Sequence, residues 1–123
     1  MGYTQKIGKH AEDLAYQYLH KQGLRLLERN FNTRFGEIDL VMRDNDTTVF
    51  VEVRYRHQPE IVDPLSSIDS RKQLKLIRTA RYYLQQHRNH AFAPARFDVI
   101  AITDQGEQPQ IQWIKNAFEA QGT

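Results

Sequence analysis

The sequence predicts an α/β domain in which a mixed sheet is flanked by helices. Three observations support this fold class. The N-terminal region has the apolar spacing of an amphipathic helix, two consecutive segments alternate as strands do, and a second helical segment is followed by a further strand. The resulting order is a helix, three strands, a helix and one or two strands, which is typical of an α/β sandwich.

The first helix is predicted over residues 6–22, and Gly23 is a suitable stop. Its apolar residues recur at helical spacing: Ile7, Ala11, Leu14, Ala15, Tyr18 and Leu19. Residues 24–34 predict a strand with a less regular pattern. Residues 36–43 alternate clearly, so we expect Ile38, Leu40 and Met42 on one side. A turn at residues 44–47 separates this strand from the next, at 48–56.

The second half of the chain is predicted to contain the second helix and the remaining strands. A loop with two prolines occupies residues 57–67, and the helix runs from Asp69 or Ser70 to His87. A loop at 88–94 precedes a strand at 95–103. A turn at 104–109 leads to a short last strand at 110–114, and a polar tail follows from about residue 117.

Length and composition limit the classes of protein to consider. With 123 residues, the chain is expected to form one domain, residues 1–123, with its own core. It has no cysteine, which excludes disulfides, thiolate zinc sites and thiol catalysis. No signal-peptide core or long apolar stretch is present, so we expect a soluble, cytoplasmic protein without a membrane partner. The net charge of +2 only weakly favours anionic partners.

The two alternating strands are expected to bring carboxylates together. A two-residue turn at Asn45 and Asp46 would give an antiparallel hairpin whose paired residue numbers sum to 91. Asp39 would then lie across from Glu52, and Glu37 across from Arg54. The residues Phe50, Glu52 and Arg54 would share one face, with Val49, Val51 and Val53 opposite. The pattern therefore favours two adjacent carboxylates with a nearby cation.

Adjacent carboxylates repel each other unless a positive charge lies between them. Mg²⁺ is a suitable candidate because it prefers oxygen ligands, uses one or two carboxylates, and can polarise a phosphate while lowering the pKa of bound water. The alternative is a surface hairpin with cross-strand salt bridges, such as Glu37–Arg54, since charged strand faces are common.

Both predicted helices add polar residues to this hypothesis. Glu12 lies at the margin of the first apolar stripe, from which it can reach the sheet edge, or it is simply exposed. In the second helix Gln73 falls inside the stripe and Lys72 at its flank. The Gln73 amide needs a partner, either at the site, as a phosphate, a water or a carboxylate, or on neighbouring backbone. The opposite face carries Arg71, Lys75 and Arg78, which predicts either phosphate contact or a solvated surface.

Four segments together resemble a known family. "GEIDLV", "VFVEVRYR", "SRKQLKLIRTARYYL" and "RFDVI" occur in this order and spacing. They closely resemble the YraN-like family of small bacterial proteins, which is placed in the restriction-endonuclease-like superfamily with the nuclease signature PD-(D/E)xK. The resemblance runs from about Gly8 to the end and implies an αβββαβ core.

The resemblance also implies roles for individual residues. Asp39 takes the aspartate position of the nuclease motif, Glu52 the second acidic position and Arg54 the lysine position, so these three would be catalytic. Asp39, Glu52 and Glu12 would bind Mg²⁺ or Mn²⁺. Lys72 and Gln73 match polar positions of the second helix, so they would be supporting residues. Apart from the resemblance, the pattern of the strand predicts Glu37 as a further supporting residue. The charge pattern predicts that Arg56, Arg71, Lys75 and Arg78 bind nucleic acid.

The sequence departs from the signature at two positions. Arg54 replaces lysine, and Ile38 stands where the signature has proline. Arginine can bind phosphate, but it does not act as a general base because its pKa is too high. The leading hypothesis is therefore a metal-dependent endonuclease or nuclease-like protein acting on DNA, with branched and single-stranded forms as candidate substrates. The alternatives are a non-catalytic DNA-binding module with the same fold and an adaptor whose carboxylates form structural salt bridges.

Overall fold

The structure is a computed structural model that describes residues 2–56, 64–87, 93–104 and 108–119, with side chains from Lys9 onward. Its elements follow the predicted order, with a 3-10 turn at Pro64–Ser67 before the second helix. They are α1 Gly2–Lys21, β1 Arg25–Thr33, β2 Gly36–Asp44, β3 Thr47–Arg56, α2 Ser70–Gln86, β4 Ala95–Thr103 and β5 Gln110–Phe118. Residues 57–63 of the predicted loop at 57–67, residues 88–92 of the predicted loop at 88–94, and residues 105–107 of the predicted turn at 104–109 lie outside the described residues.

The described strands form one five-stranded sheet in the order β1-β2-β3-β4-β5. All neighbours are antiparallel except β3 and β4, which are parallel. The parallel pair is connected through α2, since parallel neighbours need a crossover rather than a tight turn. The sheet is therefore mixed, and the predicted αβββαβ arrangement of elements is confirmed. The extra strand β5 lies at the edge.

The two helices pack on opposite faces of the sheet. Ala11, Ala15 and Leu19 of α1 pack on one face, and Leu76, Ile77, Ala80 and Tyr83 of α2 pack on the other. Alternation within β3 explains this division, because Val49 and Val51 face α1 whereas Phe50 faces α2. Within the described residues, neither helix has the length and apolar character needed to cross a membrane.

Two details of the prediction are wrong. Ile38 packs on the α2 side, whereas Leu40 and Met42 pack on the α1 side. The side chains of β2 change face between Ile38 and Leu40, opposite Asn30 of β1, whose φ of 53° lies outside the extended region. The polar tail also starts later than residue 117, because β5 continues to Phe118, whose ring stacks on Phe97 at 4.7 Å.

Candidate active site

The candidate site lies where β2 and β3 separate. The predicted register is confirmed over the pairs Leu40–Val51 to Asp44–Thr47, which enclose the turn at Asn45 and Asp46. The described ladder ends at Leu40–Val51, so Asp39 and Glu52 do not pair through their backbones. Instead, Asp39 Oδ2 accepts a hydrogen bond from the backbone N–H of Val53 at 2.8 Å. The carboxylate thus replaces the carbonyl acceptor that a continued ladder would have supplied.

The side chains of Asp39 and Glu52 meet in this gap, close enough for a protonated carboxyl group to donate to the other carboxylate. Glu52 is only 6% exposed, and Asp39 is partly buried. Burial, followed by the negative charge of Glu52, raises the pKa of Asp39 to about 8, although the Val53 N–H opposes this shift. A hydrogen bond between two carboxyl groups requires one proton, and the raised pKa of Asp39 favours that proton at neutral pH.

Two cationic side chains contact Glu52 from the α2 side. Its Oε2 atom lies 3.6 Å from Arg54 Nη2 and 3.5 Å from Lys72 Nζ. Arg54 Nη2 also donates to the carbonyl of Ser67 at 3.0 Å, which fixes the guanidinium beside the carboxylates. Its Nε is buried and has no hydrogen-bond partner in the described part of the chain. Arg54 therefore keeps one unused donor next to the carboxylate pair.

The alternative Glu37–Arg54 salt bridge is not formed between these two described side chains, and Arg54 contacts Glu52 instead. The reason is the separation of β2 from β3, which leaves Glu37 paired with Asn32 of β1. Glu37 is exposed, yet burial and the charges of Glu12 and Glu52 raise its pKa, while Lys72 lowers it. Glu37 therefore lies within the electrostatic field of the site without contacting Arg54.

Glu12 approaches the same region from α1. Its Oε1 lies 3.5 Å from Arg29 Nη2, and the neighbouring Asp13 pairs with the same guanidinium at 2.8 Å. The charge of Glu12 contributes to raising the pKa of Asp39, which places it near the carboxylate pair. No three acidic or histidine side chains among residues with described side chains are close enough to form a ready metal site. The described geometry is a pair of carboxylates with Glu12 beside it.

The residues at and just before the start of α2 position Lys72 and bind the side-chain amide of Gln73. Asp69 caps the helix by accepting from the backbone N–H of Lys72 at 2.9 Å, which is typical of an N-cap carboxylate. Gln73 Nε2 donates to the carbonyl of Ile68 at 3.0 Å. Its amide is thus bonded to neighbouring backbone, the second of the two alternatives considered from the sequence.

The predicted nucleic-acid-binding residues occupy two regions. Arg71, Lys75 and Arg78 are exposed along α2, whereas Arg56 ends β3. The carbonyl of Arg56 accepts from the N–H of Asp104 at 2.9 Å. The structure therefore brings Asp39, Glu52, Arg54 and Lys72 together, with Glu12 and Glu37 at the margin. Arg71 adjoins Lys72 in α2, whereas Lys75 and Arg78 lie further along the helix.

Sequence reasoning missed Asp98, which is 1% exposed in β4. Its carboxylate accepts from Arg96 Nε at 3.0 Å, Trp113 Nε1 at 2.9 Å and the backbone N–H of Asn116 at 2.9 Å. Arg96 also pairs with Asp44 at 2.9 Å. The sequence did contain a signal for Asp98, because it is the single acidic residue within the largely apolar strand segment "RFDVIAI". Because every contact connects strands β2, β4 and β5, we assign Asp98 to the stability of the sheet.

The profile of the family described as "Uncharacterised protein family UPF0102" matches residues 11–102. The chain belongs to the UPF0102 family. A UPF0102 protein of Stutzerimonas stutzeri is 53% identical over 120 residues, which cover 98% of this chain and all of that protein. A UPF0102 protein of Coxiella burnetii is 47% identical over 118 residues, 96% of each chain. A third, from Pseudomonas entomophila, is 52% identical over 91% of this chain and 92% of that protein.

Membership of UPF0102 confirms the YraN-like resemblance. The matched segment contains the carboxylate pair, Glu12, Arg54 and all of α2. The UPF0102 names state no activity, so the chemistry of the site has to be argued from its geometry.

Proposed function

We propose that this UPF0102 protein is a metal-dependent endonuclease or nuclease-like protein that acts on DNA. The observation that carries the proposal is the meeting of the Asp39 and Glu52 carboxyl groups where β2 and β3 separate. Glu52 pairs with Arg54 and Lys72, but Asp39 forms no ion pair with the described residues. Burial beside Glu52 raises the pKa of Asp39 to about 8, so this carboxyl group favours binding a proton at neutral pH.

A hard divalent cation can take the place of this proton. Asp39 and Glu52 supply the oxygen ligands that Mg²⁺ and Mn²⁺ prefer, and Glu12 would support them from α1. The bound ion would polarise a phosphoryl oxygen and lower the pKa of a bound water. Glu12 is held by Arg29 in the described geometry, so it would assist a site whose main ligands are the two strand residues.

Arg54 is suited to bind the phosphate or to orient the attacking water. Its Nη2 is fixed by Ser67, and its buried Nε has no partner among the described residues. A permanent positive charge held this close to the carboxylates can stabilise the charge that develops on a phosphate during cleavage. Lys72, 3.5 Å from Glu52, adds a second cation at the same place.

The resemblance to the restriction-endonuclease-like superfamily supports DNA as the partner, and so do the cations of α2. The alternative is a DNA-binding module without catalytic activity. Arg54 favours that alternative because it occupies the position of a lysine that could exchange a proton. Cleavage assays with Mg²⁺ and Mn²⁺ separate the two hypotheses, because only the nuclease would cut DNA.

The proposal predicts that Mn²⁺ stabilises the wild type in a thermal melt, because a ligand bound only by the native state raises Tm by mass action. The shift is expected to disappear in the Asp39→Ala/Glu52→Ala double variant, and to persist in the control Asp46→Asn, which changes an exposed acid of the same hairpin. An equal shift in the double variant would exclude the site.

DNA binding through α2 is predicted to weaken as salt rises. If Arg71, Lys75 and Arg78 contact phosphates, the plot of log affinity against log salt should have a slope of roughly −1 per contact. The end of β3 at Arg56 would add a further contact. Fluorescence anisotropy with labelled DNA measures this slope, and binding that ignores salt concentration would contradict the assignment.

A further inference from the structure

A second feature of the molecule is an open cleft of about 810 Å³ between the β1–β2 turn and the C-terminal half of α2. Its volume falls within the range of roughly 300–1,000 Å³ that is usual for ligand sites. The principal lining side chains are Arg34, Phe35, Arg78, Arg81, Tyr82 and Gln85. None of the described residues that line it is acidic.

The aromatic side chains of the cleft are available for stacking. Tyr82 is 38% exposed, unusually high for a large ring, and its centroid lies 6.4 Å from that of Phe35. The Cζ atom of Arg34 lies 5.1 Å from the Phe35 centroid, within the range of a cation–π contact. The hydroxyl of Tyr82 accepts from Gln86 Nε2 at 3.0 Å, which helps to orient the ring.

The cations of the cleft are not neutralised by any carboxylate among the described side chains. Among the residues with described side chains, no carboxylate forms an ion pair with Arg34, Arg78 or Arg81. The turn is held close to α2 at Gly36, where an added Cβ would lie 3.4 Å from Thr79 Oγ1. The cleft is thus a defined concave surface that combines the exposed Tyr82 ring and the half-buried Phe35 ring with guanidinium groups that form no ion pair among the described residues.

We propose that this cleft binds an unpaired nucleobase and its flanking phosphates, so that the protein recognises single-stranded nucleic acid. Rings stack on bases only where the bases are not already stacked in a duplex, and guanidinium groups match phosphates in charge and geometry. The assignment rests on the proposed function and specifies its substrate class as single-stranded DNA or the single-stranded part of a branched form.

The position of the cleft relative to the carboxylates supports this assignment. Lys72, Lys75 and Arg78 follow one another at three-residue spacing along α2 and thus lie on neighbouring turns. At a rise of about 1.5 Å per residue, Lys72 and Tyr82 are roughly 15 Å apart along the helix. A line of cations therefore connects the carboxylate pair to the aromatic cleft, as a bound strand would require.

Anisotropy with a fluorescein-labelled oligothymidylate of about twelve nucleotides tests the cleft, since sites for single strands span roughly 4–16 nucleotides. Tyr82→Ala should weaken binding about tenfold, because stacking of one base has an effect of this order. Tyr82→Phe should bind as the wild type does, because it keeps the ring and loses only the hydrogen bond to Gln86. Leu74→Ala, an exposed apolar control at 45% exposure on the same helix, should have no effect.

Substitution of the arginines that line the cleft provides a second, independent test. Arg78→Gln and Arg81→Gln should each reduce the steepness of the salt dependence by about 0.7, the value expected per phosphate on a single strand. Arg25→Gln, an exposed arginine at the far end of β1, is the matched control and should leave the slope unchanged. Wild-type affinity in both Tyr82→Ala and Arg81→Gln, or equal competition by polyglutamate of the same charge, would overturn the assignment.

The same samples separate this inference from the proposed function. Stabilisation by Mn²⁺ should persist in Tyr82→Ala, because the ring lies well away from Asp39 and Glu52. If Mn²⁺ stabilises the wild type but the cleft variants bind the oligonucleotide normally, only the cleft assignment fails. If the wild type shows neither stabilisation by Mn²⁺ nor oligonucleotide binding, the proposed function fails together with the cleft assignment.

Discussion

Arg54→Ala is expected to lower the rate of DNA cleavage by about 10²- to 10³-fold, the usual cost of removing one group that stabilises developing charge in a transition state. Arg54→Lys should keep or raise the rate, because lysine retains the positive charge and can also exchange a proton. The alanine variant should remain folded, since Lys72 still faces the buried Glu52 carboxylate. Rates with Mg²⁺ and Mn²⁺ on single-stranded, branched and duplex DNA provide the measurement.

The control for this series is Arg25→Ala, which removes an exposed strand arginine distant from the carboxylates. Unchanged cleavage by Arg54→Ala would show that this residue serves only as a salt-bridge partner of Glu52. If the wild type cleaves none of these DNA forms, the non-catalytic DNA-binding module becomes the better description.

Asp39→Asn is expected to be more stable than the wild type at pH 8 and to lose stabilisation by Mn²⁺. Asparagine can still accept from the Val53 N–H and can donate to Glu52, so it imitates the protonated acid. It offers no negative charge to a cation. One substitution should therefore separate the structural role of the pair from metal binding.

The sign of the pH dependence follows from the pKa of Asp39, which folding raises from 3.8 to about 8. Between these values the folded protein binds the proton that the unfolded chain releases. The stability contributed by this group is fully present below pH 3.8 and is lost as the pH rises towards 8. In Asp39→Asn this loss is absent, so the difference in stability between variant and wild type should grow over that interval.

Thermal melts of both proteins from pH 5 to pH 8, without metal, measure this difference. Because one pKa unit corresponds to about 1.4 kcal/mol, we expect the variant to exceed the wild type by more than about 1 kcal/mol at pH 8, or several degrees in Tm. Asp46→Asn, at the exposed turn, should follow the wild type throughout. A constant difference at every pH would show that Asp39 does not hold the shared proton.

The sequence by itself determined the order of the elements, the bounds of α2 and the register of the β2–β3 hairpin. These features depend on local patterns. Asp69 caps the helix through a bond to a residue three positions away, and a two-residue turn fixes which strand residues face each other. The parity of β3 likewise placed Glu52 and Arg54 on the face of Phe50. The structure agrees, because Phe50 packs with α2, Glu52 contacts Lys72 of α2, and Arg54 contacts Ser67 in the turn before α2.

Tertiary structure alone decided how the carboxylates meet. Alternation predicted a regular pair of Asp39 and Glu52, but the described ladder stops at Leu40–Val51 and β2 changes face beside Asn30. The alternation of apolar and polar residues in β2 gives no sign of this change of face. The same holds for the cleft, where Phe35 and Tyr82 are far apart in sequence and meet only because the β1–β2 turn docks on α2. Burial between packed elements, which sets the pKa of Asp39, likewise exists only in the folded protein.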